Sequence, residues 1–257
     1  MVSAADRVKG PARTSVWLED RTGRVRRSPA QAAGLDRERI VEATVRLLDA
    51  EGAAKFSMRR LAAELDVTAM SVYWYVDTKD DLLELALDAA FGSISLPETG
   101  ESEAGRWREQ LRALATEYRT MLVRHPWVSP LVGSFLNIGP NSLRFSLAAQ
   151  QVMRNTGLPS HGQLGGLSAV FQFVYGFGTI EGHFIARCDS AGLTQDEYYR
   201  EAMGSVTADP ALGDYLSSSE EIMDARGGDT VEESRERDFG YALDLLVAGI
   251  EAMVARR

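Results

Sequence analysis

Apolar residues recur at steps of three and four along most of this chain, the pattern of helices that bury one face. Ile40, Ala43, Thr44, Leu47 and Leu48 form the first clear stripe. Asp36 stands where it can cap that helix, and Gly52 where it ends, so the pattern predicts a helix to about Glu51. Phe56 in the following loop is expected to plug a small core. Two short helices follow. Ser57 caps the first, which places Met58, Leu61, Ala62 and Leu65 at helical spacing. Asp66-Val67-Thr68 breaks the period, and Thr68 caps a second helix through about Tyr75. Asp66 falls where the chain must turn sharply, and Asp tolerates the left-handed conformation better than most residues with a side chain. Thr78 followed by Asp81 is close to a capping box and opens an amphipathic helix from Lys79 to about Ile94.

The remainder continues in helical register. SLPETGESEAG, residues 95–105, is a linker by composition. A helix from Arg106 to Arg124 must stop at His125-Pro126, because proline disfavours helix before it. A short helical piece is expected over Trp127 to Leu136, and a helix from Pro140 to Thr156 ending at Gly157. His161 to Arg187 is the most apolar long segment. Leu164, Leu167, Phe171, Tyr175 and Gly178 mark one stripe; Val170, Phe173, Phe177, Ile180 and Phe184 mark another. A helix apolar on nearly all sides is buried on nearly all sides. A shorter helix around Gln195–Ser205, the DPALGDYL piece and a polar loop, SSSEEIMDARGGDT, lead to a last helix from about Val231 to Ala255. The fold class is all-α.

The pair of short helices reads as a helix-turn-helix, whose second helix lies in the DNA major groove. Leu65, Val67 and Val72 are the inward residues by spacing. The outward set is short, hydroxylated and aromatic: Thr68, Ala69, Met70, Ser71, Tyr73, Trp74 and Tyr75, with Lys79 just beyond and Arg59 on the helix before. Hydroxyls and Lys suit phosphate oxygens, and methyl-bearing side chains can touch thymine methyls. Three successive aromatics span most of a helix's circumference, so they cannot all face one core.

Charge first argues the other way, since the net value is −9. Its distribution reverses that. Residues 1–34 hold seven Lys/Arg against three Asp/Glu, with Arg21, Arg24, Arg26 and Arg27 just before the first helix. Two readings fit this tract: an arm reaching phosphates or the minor groove, or a solubilising tail. Trp17 and Leu18 are odd in a solvated tail and are expected to dock on the protein, along the first helix. Cys188 is the only cysteine, which rules out an internal disulfide. His125, His161 and His183 have no zinc-ligand spacing, so neither metal nor cofactor is expected. No apolar run approaches the roughly 18–20 residues that span a bilayer, and no signal-type stretch opens the chain, so a cytoplasmic protein is expected.

The segment from Leu35 to about Leu87 resembles the DNA-binding domain of TetR-family repressors. The matching residues are IVEATVRLLDAEG, then FSMRRLAAEL, then SVYWYVDTKDDLL, in order and spacing. Asp66 departs from the glycine usual in the family at that turn. The resemblance implies a flexible basic arm over 1–34, a helix-turn-helix DNA-binding domain over 35–80 and a ligand-binding and dimerisation domain over 81–257. It implies a homodimer on double-stranded palindromic operator DNA, paired through His161–Arg187 and Val231–Ala255, with Phe239 and Leu246 at that interface. It also implies a pocket for a small-molecule effector. Candidates for its lining are Tyr118, Trp127, Phe135, Phe145, Gln172 and Tyr175, with Met153 and Phe171 beside them. Gln150, Glu181 and His183 are further polar residues in apolar surroundings.

An enzyme is the rival class. Gly176-x-Gly178 lacks a third glycine and a preceding strand, and neither a nucleophile elbow nor an HExxH motif is present. The pairs Glu220-Glu221 and Glu232-Glu233 lie in polar stretches, so no catalytic residue is assigned. A helical sensor or adaptor without specific DNA binding is the other alternative.

Overall fold

The computed structural model describes residues 15–19, 35–209, 212 and 229–256. Among these residues every regular element is a helix. In chain order they are α1 (Val16–Glu19), α2 (Arg37–Glu51), α3 (Met58–Glu64), α4 (Ala69–Tyr73), α5 (Lys79–Phe91), a 3-10 turn (Glu101–Arg106), α6 (Trp107–Arg124), α7 (Val128–Val132), α8 (Pro140–Asn155), α9 (Ser160–Ala191), α10 (Gln195–Thr207) and α11 (Val231–Ala255). The DPALGDYL piece apart from Asp209 and Leu212, and the acidic loop that follows it to Gly228, lie outside the described residues, as do residues 1–14 and 20–34.

Two compact units result. The first takes in Met1–Ile94 and Trp127–Leu147, the second Ser95–Pro126 and Ala148–Arg257. The first unit therefore runs past the expected boundary at 80/81 and borrows a later stretch of chain. The reason is α5, which buries ten of its thirteen residues. Its apolar faces pack on α2 and α7, so it cannot be divided from either.

The polar residues of α5 matter as much. Asp81, Glu84 and Asp88 are 6%, 4% and 4% exposed, one turn apart on one face. Each is spent on the start of a helix, where backbone N–H groups lack partners. Asp81 takes the N–H groups of Asp77 and Thr78 in the capping box of α5 itself. Glu84 accepts from the Ser15 hydroxyl at 2.5 Å and the Val16 N–H at 2.9 Å, which fixes α1. Asp88 accepts from the N–H groups of Asn141 at 3.3 Å and Ser142 at 2.9 Å, which fixes the first turn of α8. Gly139 is needed for that approach, because a Cβ there would fall 2.3 Å from Asp88 Oδ1. The segment holding Trp17 and Leu18 thus docks on α5 and not along α2. Trp127 ties the borrowed stretch to α2 through its indole N–H, which donates to Asp49 at 2.6 Å.

In the second unit α6 lies along α9, and α11 packs on α9. Gly178 and Gly182 let α6 approach closely: a Cβ at either would meet Leu122 atoms at 3.2 Å and 3.1 Å. A buried charge sits between the three helices. The Arg119 guanidinium donates to both carboxylate oxygens of Glu181 at 2.7 and 2.9 Å, and to Glu236 at 2.6 Å. It also lies over the rings of Phe177 and Phe239, at 5.2 and 4.4 Å. Burial alone would lower the Arg119 pKa, but the hydrogen bonds and charge of Glu181, with Glu236 behind it, raise it above the ordinary value. Arg112 and Asp244, and Arg108 and Glu251, bridge α6 and α11 nearer the surface.

Phe239 is 2% exposed and stacks on Phe173, which places it in the protomer's own core and not on the outer face expected for it. The outer face of α11 is instead Tyr241, Leu245 and Met253, at steps of four and eight and 55–70% exposed. Leu164 and Ile180 stand out similarly on α9. Helix α9 is thus buried at Val170, Val174 and Gly178 and exposed at Leu164 and Ile180.

Candidate nucleic-acid interface

The helix-turn-helix is built from local signals. Ser57 caps α3 by accepting the Arg60 N–H at 3.2 Å. The helix ends at Leu65, and Asp66 then adopts φ 53°, the left-handed turn expected of it. The Val67 N–H returns to the Ala62 carbonyl at 2.9 Å, closing the turn. Thr68 caps α4 through the Ser71 N–H, and the two hydroxyls share a hydrogen bond at 2.9 Å. Val72 is fully buried, as are Leu61 and Ala62 on α3. That packing fixes which face of α4 looks outward.

The outward face holds Met70, Tyr73 and Trp74, which are 66%, 43% and 55% exposed. Ala69 and Ser71 are half-buried beside them. Of the three aromatics only two point out. Tyr75 turns back, and its hydroxyl donates to the Leu35 carbonyl at 2.7 Å, so its proton is committed inside the unit. Lys79 is half-buried, donates to the Phe56 carbonyl at 2.8 Å and lies over the Phe56 ring. On α3, both Arg59 and Arg60 are exposed, and Arg60 pairs with Glu51 at 2.8 Å and Glu64 at 3.3 Å. Arg21, Arg24, Arg26 and Arg27 lie outside the described residues.

The six residues named for an effector pocket are divided between the two units. Trp127, Phe135 and Phe145 belong to the first unit, where Phe145 packs against Phe91 with centroids 5.6 Å apart. Tyr118, Gln172 and Tyr175 belong to the second, and Gln172 is exposed. Tyr118 is the best-placed of them. It meets Phe171 edge-on at 6.0 Å, and burial, with Tyr175 nearby, pushes its hydroxyl pKa well above the ordinary value. Sequence reasoning missed a recess of about 370 Å³ between α8 and α9, lined by Gln150, Arg154, Ser160, Gln163, Leu164 and Leu167. Of its lining, Gln150 is a polar residue in an apolar run, and Leu164 and Leu167 belong to an apolar stripe of α9. Among the described residues no cluster of three His, Cys, Asp or Glu side chains is placed to hold a metal, and no helix is long and apolar enough to cross a membrane.

Known proteins share this arrangement. Residues 40–86 match the model of bacterial regulatory proteins of the tetR family, and residues 98–254 match the tetracyclin repressor-like C-terminal domain. Over 143 residues the chain is 41% identical to an HTH-type transcriptional regulator of Saccharopolyspora erythraea, an alignment that spans 55% of this chain and 59% of that one. Over 248 residues it is 31% identical to the HTH-type transcriptional repressor DrrR1 of Streptomyces coeruleorubidus, across 96% and 87% of the two chains. Apo ActR from Streptomyces coelicolor has the same fold, with a TM-score of 0.67 at 25% identity over 88% of this chain and 99% of that one. ActR in complex with actinorhodin gives 0.66 at 27% identity, over 86% and 97%. Matched at both ends and aligned nearly throughout with DrrR1, the chain belongs to the TetR family of bacterial regulatory proteins.

Proposed function

We propose that this regulator is a ligand-responsive transcriptional repressor, working in the cytoplasm as a homodimer on a palindromic operator and released by a small molecule. The observation that carries the DNA reading is α4: a short helix, capped and packed on α3, that leaves Met70, Tyr73 and Trp74 exposed. A side chain that size is left in water at a cost unless something covers it. Arg59, Thr68, Ser71 and Lys79 surround that face with groups able to meet phosphates. Ala69 carries a side chain small enough to let the backbone approach a base edge. Tyr75 supports α4 from behind and drops out of the contact set.

A dimer places two α4 helices about 34–36 Å apart, one turn of duplex. The exposed stripes of Tyr241, Leu245 and Met253 on α11, and of Leu164 and Ile180 on α9, are the surfaces we assign to it. DrrR1 is a repressor by name, and ActR binds actinorhodin; both support the same reading here. In the second unit, the effector is assigned to the Tyr118, Phe171 and Tyr175 cluster.

The test is fluorescence anisotropy with duplex DNA flanking the protein's own gene, across a salt series. Saturable, sequence-selective binding near physiological salt is expected, and Tyr73→Ala and Trp74→Ala should weaken it while sedimentation still shows dimers. Binding that is weak, indifferent to sequence and steeply salt-dependent would overturn the repressor reading. Leu245→Glu should yield folded monomers; intact dimers would remove α11 from the interface.

A further inference from the structure

We infer that α4 reads its half-site through thymine methyl groups, with Met70 as the residue that contacts them. This rests on the operator reading above. From Ala69 to Val76 the chain is AMSVYWYV, without Arg, Lys, Asn, Gln, Asp or Glu. The side chains that make paired hydrogen bonds to guanine or adenine are therefore missing from this helix. The Tyr73 hydroxyl and the Trp74 indole N–H are exposed, but each offers a single donor and not a matched pair, and the remaining polar groups are engaged. The Ser71 hydroxyl is bonded to Thr68, and the Tyr75 hydroxyl proton goes to the Leu35 carbonyl. Lys79 lies beyond the helix with its ammonium on the Phe56 carbonyl.

The exposed surface is instead apolar. Met70 and Trp74 are four residues apart and Tyr73 three from Met70, so the three side chains share one face. Met70 is the most exposed of them and is unbranched, with a polarizable sulfur that adapts to an irregular surface. Among the base edges of the major groove, the thymine C5-methyl is the apolar feature. An apolar reader on a five-residue helix thus selects duplexes with thymine beneath it, and any paired-hydrogen-bond reader lies outside α4, as Arg59 on α3 does.

The experiment uses the full chain and the duplex it selects. Thymines of one half-site are replaced singly by deoxyuridine, which removes the methyl and keeps the base pairing. For the native protein, at one or two positions, a loss of about three- to fivefold in affinity is expected, the scale of one buried methyl. In Met70→Ala the same replacements should have no effect, and in Met70→Leu the loss should return. Deoxyuridine without effect at every thymine would overturn the inference while leaving operator binding intact. A loss that persists in Met70→Ala would overturn it too, by giving the methyl to another side chain. Failure of the native protein to select any duplex would instead overturn the operator reading, and this inference with it.

Discussion

The two units bury charge in opposite ways. In the first, Asp81, Glu84 and Asp88 lie under the surface of α5 and face backbone N–H groups at three helix starts. In the second, Glu181 faces a full positive charge, Arg119, itself flanked by Phe177 and Phe239. The first device is mild. A helix start must find acceptors for its N–H groups in any case, and the helix dipole favours an anion there. The second device is stringent, because two desolvated charges are tolerated only while each satisfies the other. Losing a carboxylate from α5 should therefore cost a graded amount, whereas losing half of the Arg119–Glu181 pair should be severe.

The sharpest break is Arg119→Met. It leaves Glu181, whose side chain is 9% exposed, without its counter-ion and should destabilise the protein by about 3–5 kcal/mol in denaturant titration. Glu236 is 66% exposed and simply returns to water. Pairing the change with Glu181→Leu should recover most of the loss, since an apolar pair of similar volume suits the Phe177 and Phe239 rings. A double variant as unstable as the single one would mean that the guanidinium acts by packing and not by pairing.

A smaller loss should follow Asp88→Ala. It orphans the Asn141 and Ser142 N–H groups at the start of α8, at a cost of about 2 kcal/mol. Asp88→Asn keeps an acceptor and should retain about half of that. Glu84→Ala releases α1, a four-residue helix, and should cost only about 1 kcal/mol. If Asp88→Ala proved as damaging as Arg119→Met, the contrast between the units would fail.

The caps of the first unit were legible because each is settled within four residues. Asp36, Ser57, Thr68 and Thr78 all do what their spacing says, and Asp66 turns left-handed where the period breaks. Periodicity also located the long helices, and Val231–Ala255 appears with the bounds expected. What it could not supply is the neighbour each stripe meets. Phe239 belongs to an apolar stripe on any reading, but only the position of Phe173 on α9 shows that it faces inward. Nothing local marks Asp88 on the amphipathic helix that begins at Lys79, because its partners lie more than fifty residues away. Tyr75 was expected outside with its neighbours, and only the approach of the Leu35 carbonyl turns it back. Most of the pocket candidates are aromatic, and aromatic character does not distinguish a lining from a core.

The mildest case lies at the surface of the second unit and tests the same dipole argument without burial. Thr194 and Glu197 form a capping box at the start of α10, in which the Glu197 carboxylate accepts from the Thr194 N–H and hydroxyl, both at 2.8 Å. Those hydrogen bonds, with Arg200 adding a little, hold the Glu197 pKa below the ordinary value. A depressed carboxylate pKa means that the folded form favours the ion. Its contribution is present above the ordinary carboxylate range and is lost as pH falls through the lower, folded value. Because α10 begins beside Asp196, which accepts the Val231 N–H at 2.7 Å, fraying there also loosens the first turn of α11. Amide exchange should thus show α10 and Val231 losing protection relative to α9 below about pH 4. Glu197→Gln, fully present at every pH, should abolish that dependence while leaving the denaturant midpoint near neutrality almost unchanged. A pH response that survives Glu197→Gln would assign it elsewhere, and the exposed cap would then contribute nothing beyond what water supplies.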